Sequence, residues 1–218
     1  MDLYATSRPV SRPISVLRQA IIGGQYGPGE RLSEKKVANE LGISRNTLRE
    51  AFQALAEQGL VERIPNRGVS VVAPGMSDII DIYRMRRIIQ PSVIAGADAL
   101  HPALSAASSS VEDGEAGITA MDWQAVGTAN MNYHIALMTL SDSPRLVHAF
   151  RNLMAVLRLV FLRMGQAEQL HQPFVALNSN ILVQLRKGNT REATELMESY
   201  LDTSEDTLLA AYTRRGFE

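Results

Sequence analysis

E-R-L-S-E-K-K-V-A-N-E-L-G-I-S-R-N-T-L-R-E-A-F-Q-A-L-A-E-Q-G-L-V-E-R-I-P-N-R-G-V-S-V-V, residues 30–72, reads as two helices, a tight turn and a β-hairpin. Ser33 stands where a hydroxyl caps the first helix, and Val37, Ala38 and Leu41 then share one face. Lys36 occupies the position where a capping-box glutamate would stand, and Gly42 ends the helix as a residue able to take positive φ. The second helix starts at Ser44 behind an apolar Ile43. It repeats Leu48, Ala51, Phe52, Leu55 and Ala56 at three- and four-residue steps and stops at Gly59. Leu60, Val61 and Ile64, then Val69, Val71 and Val72, flank the turn Pro65-Asn66-Arg67-Gly68, the pattern of a two-stranded ribbon with a basic tip. Elements in that order spell a winged helix-turn-helix.

The polar face at the start of the second helix carries Ser44, Arg45, Asn46, Thr47 and Arg49. Forked and hydroxyl side chains of this kind suit a major groove: arginine can hydrogen-bond guanine twice, asparagine pairs with adenine, and a hydroxyl beside free helix amides holds a phosphate. Arg67 and Gly68 at the ribbon tip suit a minor groove or a phosphate clamp. Solvated surface arginines and an ordinary hairpin are the bland alternatives, and the order of the elements favours duplex DNA over them. An RNA target is disfavoured, because no stacking aromatics accompany the reading helix.

The remainder bounds the class. The chain has 218 residues, 45% of them hydrophobic, and no cysteine, so a disulfide framework or thiolate metal site is excluded. No apolar run of about 18 residues occurs and no signal-type core opens the chain, so a cytoplasmic protein without membrane contact is expected. The net charge of −1 is unevenly spread: residues 1–74 hold ten Lys or Arg against seven acids, and residues 75–218 hold twelve against sixteen. Positive charge goes with the DNA-reading motif.

Pro74-Gly75 closes the first domain, with Ser77 as the expected N-cap of a helix carrying Ile79, Ile80, Ile82, Tyr83 and Met85. Helical periodicity continues to the C-terminus, with segments near 78–99, 102–110, 122–140, 143–166, 170–187 and 189–214. Pro144, Gly188 and Asn189 punctuate them, and Pro91 is expected to kink or restart the first long helix. The small, polar stretch from Ser105 to Gly114 is the least defined. The fold class is therefore mainly α, a winged helix-turn-helix over 1–74 followed by an all-helical bundle over 75–218.

Four motifs, P-G-E-R-L-S-E (28–34), L-G-I-S-R-N-T-L-R-E-A (41–51), L-A-E-Q-G-L-V (55–61) and P-N-R-G (65–68), resemble the N-terminal domain of GntR-family transcription regulators. That resemblance implies DNA contact by Arg31, Ser44, Arg45, Asn46, Thr47, Arg49, Arg67 and Gly68. Asn46-Thr47-Leu48 departs from the commoner threonine-proline-valine, which bears on base preference. I-Y-R-M-R-R-I-I-Q-P (82–91), N-M-N-Y-H (130–134), S-D-S-P-R-L (141–146) and L-R-K-G-N-T-R-E-A (185–193) resemble the FCD effector domain of the FadR subfamily. Many such domains hold a divalent metal with one aspartate and three histidines. Here those positions fall on Asn130, His134, Asn178 and Tyr200, so no metal and no other cofactor is expected. The same four groups, joined by Arg86 as the charge for a carboxylate or phosphate, are read instead as a metal-independent pocket for a small organic acid. A satisfied buried histidine, with the arginine tying two helices together, is the alternative.

Arg158 is a secondary pocket candidate, His101, His148 and His171 belong to no motif, and Arg191, Glu192, Glu195 and Glu198 read as a solvated face. The resemblance implies a homodimer reading an inverted repeat, a repressor relieved by ligand being the expected sign. An architectural, ligand-independent DNA-binding protein is the alternative. An enzyme with His134 as general base is disfavoured, because no nucleophile, paired carboxylates or phosphate loop accompanies it.

Overall fold

The computed structural model describes residues 11–65, 68–165 and 167–217. The chain divides into two compact units, Met1–Ala73 and Pro74–Glu218.

In the first unit, α1 (Ser11–Ile22) precedes β1 (Arg31–Leu32), α2 (Glu34–Leu41), α3 (Arg45–Glu57), β2 (Val61–Ile64) and β3 (Gly68–Val71). Local chemistry fixes the two motif helices. The Ser33 side chain accepts from the Lys36 amide, Ser44 accepts from the Thr47 amide, and Gly42 closes α2 at φ 64°, in the left-handed region. Leu48, Ala51, Phe52 and Leu55 of α3 are fully buried, Val37 and Ala38 of α2 pack inward, and Ile43 is only half-buried. The expected two-stranded ribbon is a three-stranded antiparallel sheet of order β1-β3-β2, because Arg31 and Leu32 pair with Ser70 and Val69. The expected pairing of the ribbon itself holds, Val61 opposite Val71 and Ile64 opposite Gly68. Helix α1 lies outside the motif reading, and its Leu17 and Ile21, one turn apart, enter the same core.

The second unit is helical: α4 (Met76–Ala95), α5 (Ala103–Thr119), α6 (Trp123–Thr139), α7 (Pro144–Met164), α8 (Ala167–Arg186) and α9 (Thr190–Arg215). Its core joins Ile79, Tyr83, Leu104, Tyr133, Leu137, Phe150, Leu157, Phe174, Leu201 and Leu208 from all six helices. Three expectations need correction. The N-cap of α4 is Gly75, not Ser77, and the Asp78 carboxylate accepts the Gly75 amide at 2.7 Å, drawing the start two residues earlier. Pro91 neither ends nor restarts α4, which runs on to Ala95 with Pro91 buried inside it. The segment expected to stop near 110 continues to Thr119. Its Leu104, Ala107, Val111 and Gly114 recur on one buried face, and its small residues let α5 lie close on α6. A Cβ on Gly117 would stand 2.8 Å from Val126 Cγ2.

Candidate nucleic-acid interface and buried polar core

At the start of α3, Ser44, Arg45, Asn46 and Arg49 are exposed and Thr47 is half-buried. The two hydroxyls serve the helix first: Ser44 Oγ accepts the Thr47 amide at 3.1 Å and lies 2.9 Å from Thr47 Oγ1. Arg45 and Asn46 enter no described ion pair or side-chain hydrogen bond. Arg49 is oriented by Glu34 of α2, its Nε donating to both carboxylate oxygens at 3.0 and 3.3 Å, which commits Nε to that pair. Arg31, exposed on β1, has its guanidinium nitrogens 3.9 Å from where a Gly68 Cβ would stand, and Gly68 itself sits at φ 89°. Arg31 and Gly68 are therefore neighbours at the sheet end, and Arg67 lies outside the described residues.

The second unit gathers the other candidates. Arg86, His134, Asn178 and Tyr200 are no more than 3% exposed, and Asn130 is 8% exposed. Asn130 Oδ1 accepts from Asn178 Nδ2 at 2.7 Å and from the Tyr200 hydroxyl at 3.1 Å. The His134 ring meets the Tyr200 ring edge-on at 4.9 Å, and the Arg86 guanidinium lies 4.7 Å over Tyr83 and 5.9 Å from Tyr200. All five sequence candidates thus come together. Sequence reasoning missed Gln90, one turn beyond Arg86 and fully buried, which accepts from Arg86 Nε at 2.8 Å and lies 2.8 Å from His134 Nδ1.

The polarity of this triad does not close. Burial, then the Arg86 charge, holds the His134 imidazole well below its usual pKa, so it is neutral, with one N–H and one lone pair. Arg86 Nη2 stands 3.3 Å from Nε2 and the Gln90 amide nitrogen faces Nδ1, so two donors compete for a single lone pair. Changing the tautomer moves the conflict from one nitrogen to the other. Rotating Gln90 satisfies Nδ1–H but turns the amide donor against Arg86 Nε. Every arrangement leaves one donor facing a donor, around a buried cation that forms no ion pair among the described residues.

A divalent metal does not fit this donor set. A guanidinium already stands at His134 Nε2, Asn130 Oδ1 already accepts two hydrogen bonds, and burial pushes the Tyr200 phenol above its usual pKa, away from the phenolate a metal would need. No group of three or more His, Cys, Asp or Glu suited to a metal occurs among the described residues.

A second buried cation lies on the other side of Asn130. Arg158 Nη2 donates to the Gln124 carbonyl at 3.1 Å, and Nη1 stands 3.3 Å from His171 Nε2. His171 is therefore not the unassigned histidine of the sequence reading: it is 2% exposed, lies against Phe161, and is held down to a pKa of about 3 by burial and then by Arg158. His101 also has partners, accepting the Ala103 amide at Nδ1 and lying 3.2 Å from Asp142 Oδ1. Arg191, Glu192, Glu195 and Glu198 are exposed, as expected of a solvated face, and His148 is exposed as well. A cavity of about 10 Å³ lies between Arg158 and Asn130, with Gly127, Met131 and Met154 among its walls.

Comparison with known proteins agrees with both units. Residues 14–71 match the gntR family of bacterial regulatory proteins, and residues 81–203, more than half of the chain, match the FCD domain. A solved GntR transcriptional regulator from Rhodococcus sp. RHA1 is 38% identical, with a TM-score of 0.89 over 93% of this chain and 98% of that one. The chain belongs to the GntR family. As a GntR-family chain with an FCD domain, it is grouped with transcription regulators, not with enzymes. The galactonate operon transcriptional repressor of Escherichia coli (strain K12) is 24% identical over 96% of this chain and 97% of that repressor. The HTH-type regulator YdhC of Bacillus subtilis (strain 168) is 34% identical over 70 residues, 32% of this chain and 31% of YdhC. The GntR-family chain spans about a third to a half of the length of the first curated relatives it matches. None of its described helices is long and apolar enough to cross a membrane.

Proposed function

We propose that the chain is a cytoplasmic, dimeric, sequence-specific DNA-binding repressor of the FadR subfamily, whose operator affinity changes when the helical unit binds a small organic acid without a metal. Residues 1–74 form the reading domain, with Arg31, Ser44, Arg45, Asn46, Thr47, Arg49, Arg67 and Gly68 at the duplex. Residues 75–218 form the effector and dimerisation domain, with Arg86, Asn130, His134, Asn178 and Tyr200 around the acid. The observation that carries the effector half is the acceptor deficit at Arg86, Gln90 and His134, surrounding a buried cation without a carboxylate. An organic acid supplies both the missing acceptor and the missing charge. It acts on DNA only through its preference for one arrangement of the two reading heads in the dimer.

The closed core favours a second reading, a ligand-independent DNA-binding protein. Asn130, Asn178 and Tyr200 already bond one another, and the bordering cavity of about 10 Å³ is at the lower limit for one water. Melting temperatures separate the two. Chelator-treated protein is heated with simple carboxylic acids and, separately, with divalent metals. At 100 times its Kd an acid stabilises by about 2.7 kcal/mol, an upward shift of roughly 5–10 °C, and Arg86→Met abolishes it. Silence towards every acid would establish the ligand-independent reading, and a rise with metal alone would overturn the metal-free one.

The reading helix has its own test. Against a duplex selected by the protein from random sequence, Arg45→Ala weakens binding by about 1–3 kcal/mol and relaxes preference at one base position. Fluorescence anisotropy at fixed salt reads the change, and an unaltered affinity and preference would remove Arg45 from the groove.

A further inference from the structure

The Arg86 and Arg158 clusters lie along one face of α6. His134, Asn130 and Gly127 follow one another there at intervals of four and three residues. Seven residues at 1.5 Å each place the ends about 10 Å apart along the helix axis. At one end stands the Arg86–Gln90–His134 triad, one acceptor short. At the other, the Arg158 guanidinium lies directly on α6, in space that only a glycine leaves open: a Cβ on Gly127 would stand 1.9 Å from Arg158 Nη1.

The second end also lacks an acceptor. Arginine nitrogens only donate, so His171 Nε2, 3.3 Å from Arg158 Nη1, offers its lone pair and the ring proton sits on Nδ1. His171 Nδ1 is buried with no hydrogen-bond partner. At the Arg158 end lies the cavity bounded by Asn130, Arg158 and Gly127, with Met131 and Met154 as walls, side chains whose unbranched, flexible form re-packs readily around an inserted group.

Resting on the effector reading above, we propose that Arg158 and His171 form a second acid anchor, and that the effector is a short dicarboxylic acid laid along α6 from Arg86 to Arg158. The two clusters stand on α6 residues about 10 Å apart along its axis, a span within reach of a short diacid of about four to six carbons with a hydrogen bond of about 3 Å at each end. Each carboxylate meets one guanidinium, and at the Arg86 end it also supplies the acceptor that the histidine-bearing cluster lacks. A monocarboxylic acid satisfies only the Arg86 end.

Isothermal titration of the full chain tests this with two matched series: succinate, glutarate and adipate against butyrate, pentanoate and hexanoate. The expected result is that one diacid binds at least 10-fold more tightly than the monoacid of equal chain length. Arg158→Gln then reduces that diacid to the monoacid level and leaves the monoacid unchanged, and Arg86→Gln weakens both. Equal affinity for diacids and monoacids in the wild-type protein overturns the second anchor while the effector reading stands, and this arm needs no variant to fold. Undiminished diacid binding by Arg158→Gln overturns it as well. If neither series binds the wild-type chain, the effector reading fails and the second anchor fails with it.

Discussion

Gly127→Ala is expected to destabilise the helical unit by about 2–4 kcal/mol, far more than a glycine-to-alanine change in a helix would ordinarily do. On propensity alone the change favours the helix by about 1 kcal/mol. Opposing it, the new methyl carbon would stand 1.9 Å from Arg158 Nη1 and 2.7 Å from His171 Nε2, so the guanidinium must leave its place on α6. It would then give up the Gln124 carbonyl and the imidazole, and hydrogen bonds to a charged group contribute about 1.5–3 kcal/mol each. For a chain of this size that loss lowers Tm by roughly 5–15 °C. A double-mutant cycle assigns the cause: with Arg158→Met in place, Gly127→Ala costs about 1 kcal/mol or less. An equal cost in both backgrounds would show that the guanidinium is not what the methyl displaces.

Acid sensitivity beginning well above the carboxylate range is the second expected result. His171 titrates at about 3 in the folded chain and near 6.5 when unfolded. The unfolded form therefore binds the extra proton between these values. The stability at stake is fully present above pH 6.5 and is lost as the pH falls towards 3. At about 1.4 kcal/mol per pH unit, His171 alone removes about 2 kcal/mol by pH 5, and His134, depressed by burial and by Arg86, adds in the same direction. Urea midpoints at pH 7.5, 6 and 5 measure the slope, and His171→Gln flattens it by the His171 share. A midpoint that stays constant across this range would mean that neither imidazole is buried in neutral form.

What the chain reveals before folding follows from how local each device is. Ser33, Gly42 and Ser44 act on amides within a few residues, so α2 and α3 are legible from spacing alone. The third strand is two residues long and exists only because Leu32 finds Val69, a pairing without a local signature. The second half of α5 escapes because a run of alanine, serine and glycine looks like a loop until its close partner α6 is known. The Asn130, His134, Asn178 and Tyr200 positions can be found by counting along helices, but their mutual bonds cannot. Gln90 was within reach, since it repeats the Tyr83–Arg86 face one turn on. The Arg158–His171 pair was not. It joins α7 to α8 over a glycine of α6, and the missing acceptors of the two clusters emerge only when donors from four helices are counted together.

Asn130 also constrains how such a regulator can evolve. Its single oxygen receives both the Asn178 amide and the Tyr200 hydroxyl, and its amide carries no charge, which leaves Arg86 the dominant charge of the cluster. Asparagine and aspartate codons differ by one nucleotide. An aspartate here would bring a permanent anion into the cluster, neutralise the guanidinium from within and repel any incoming acid. On the proposed effector reading, a single point mutation thus separates a core that attracts an acid from one that repels it, without any change of fold.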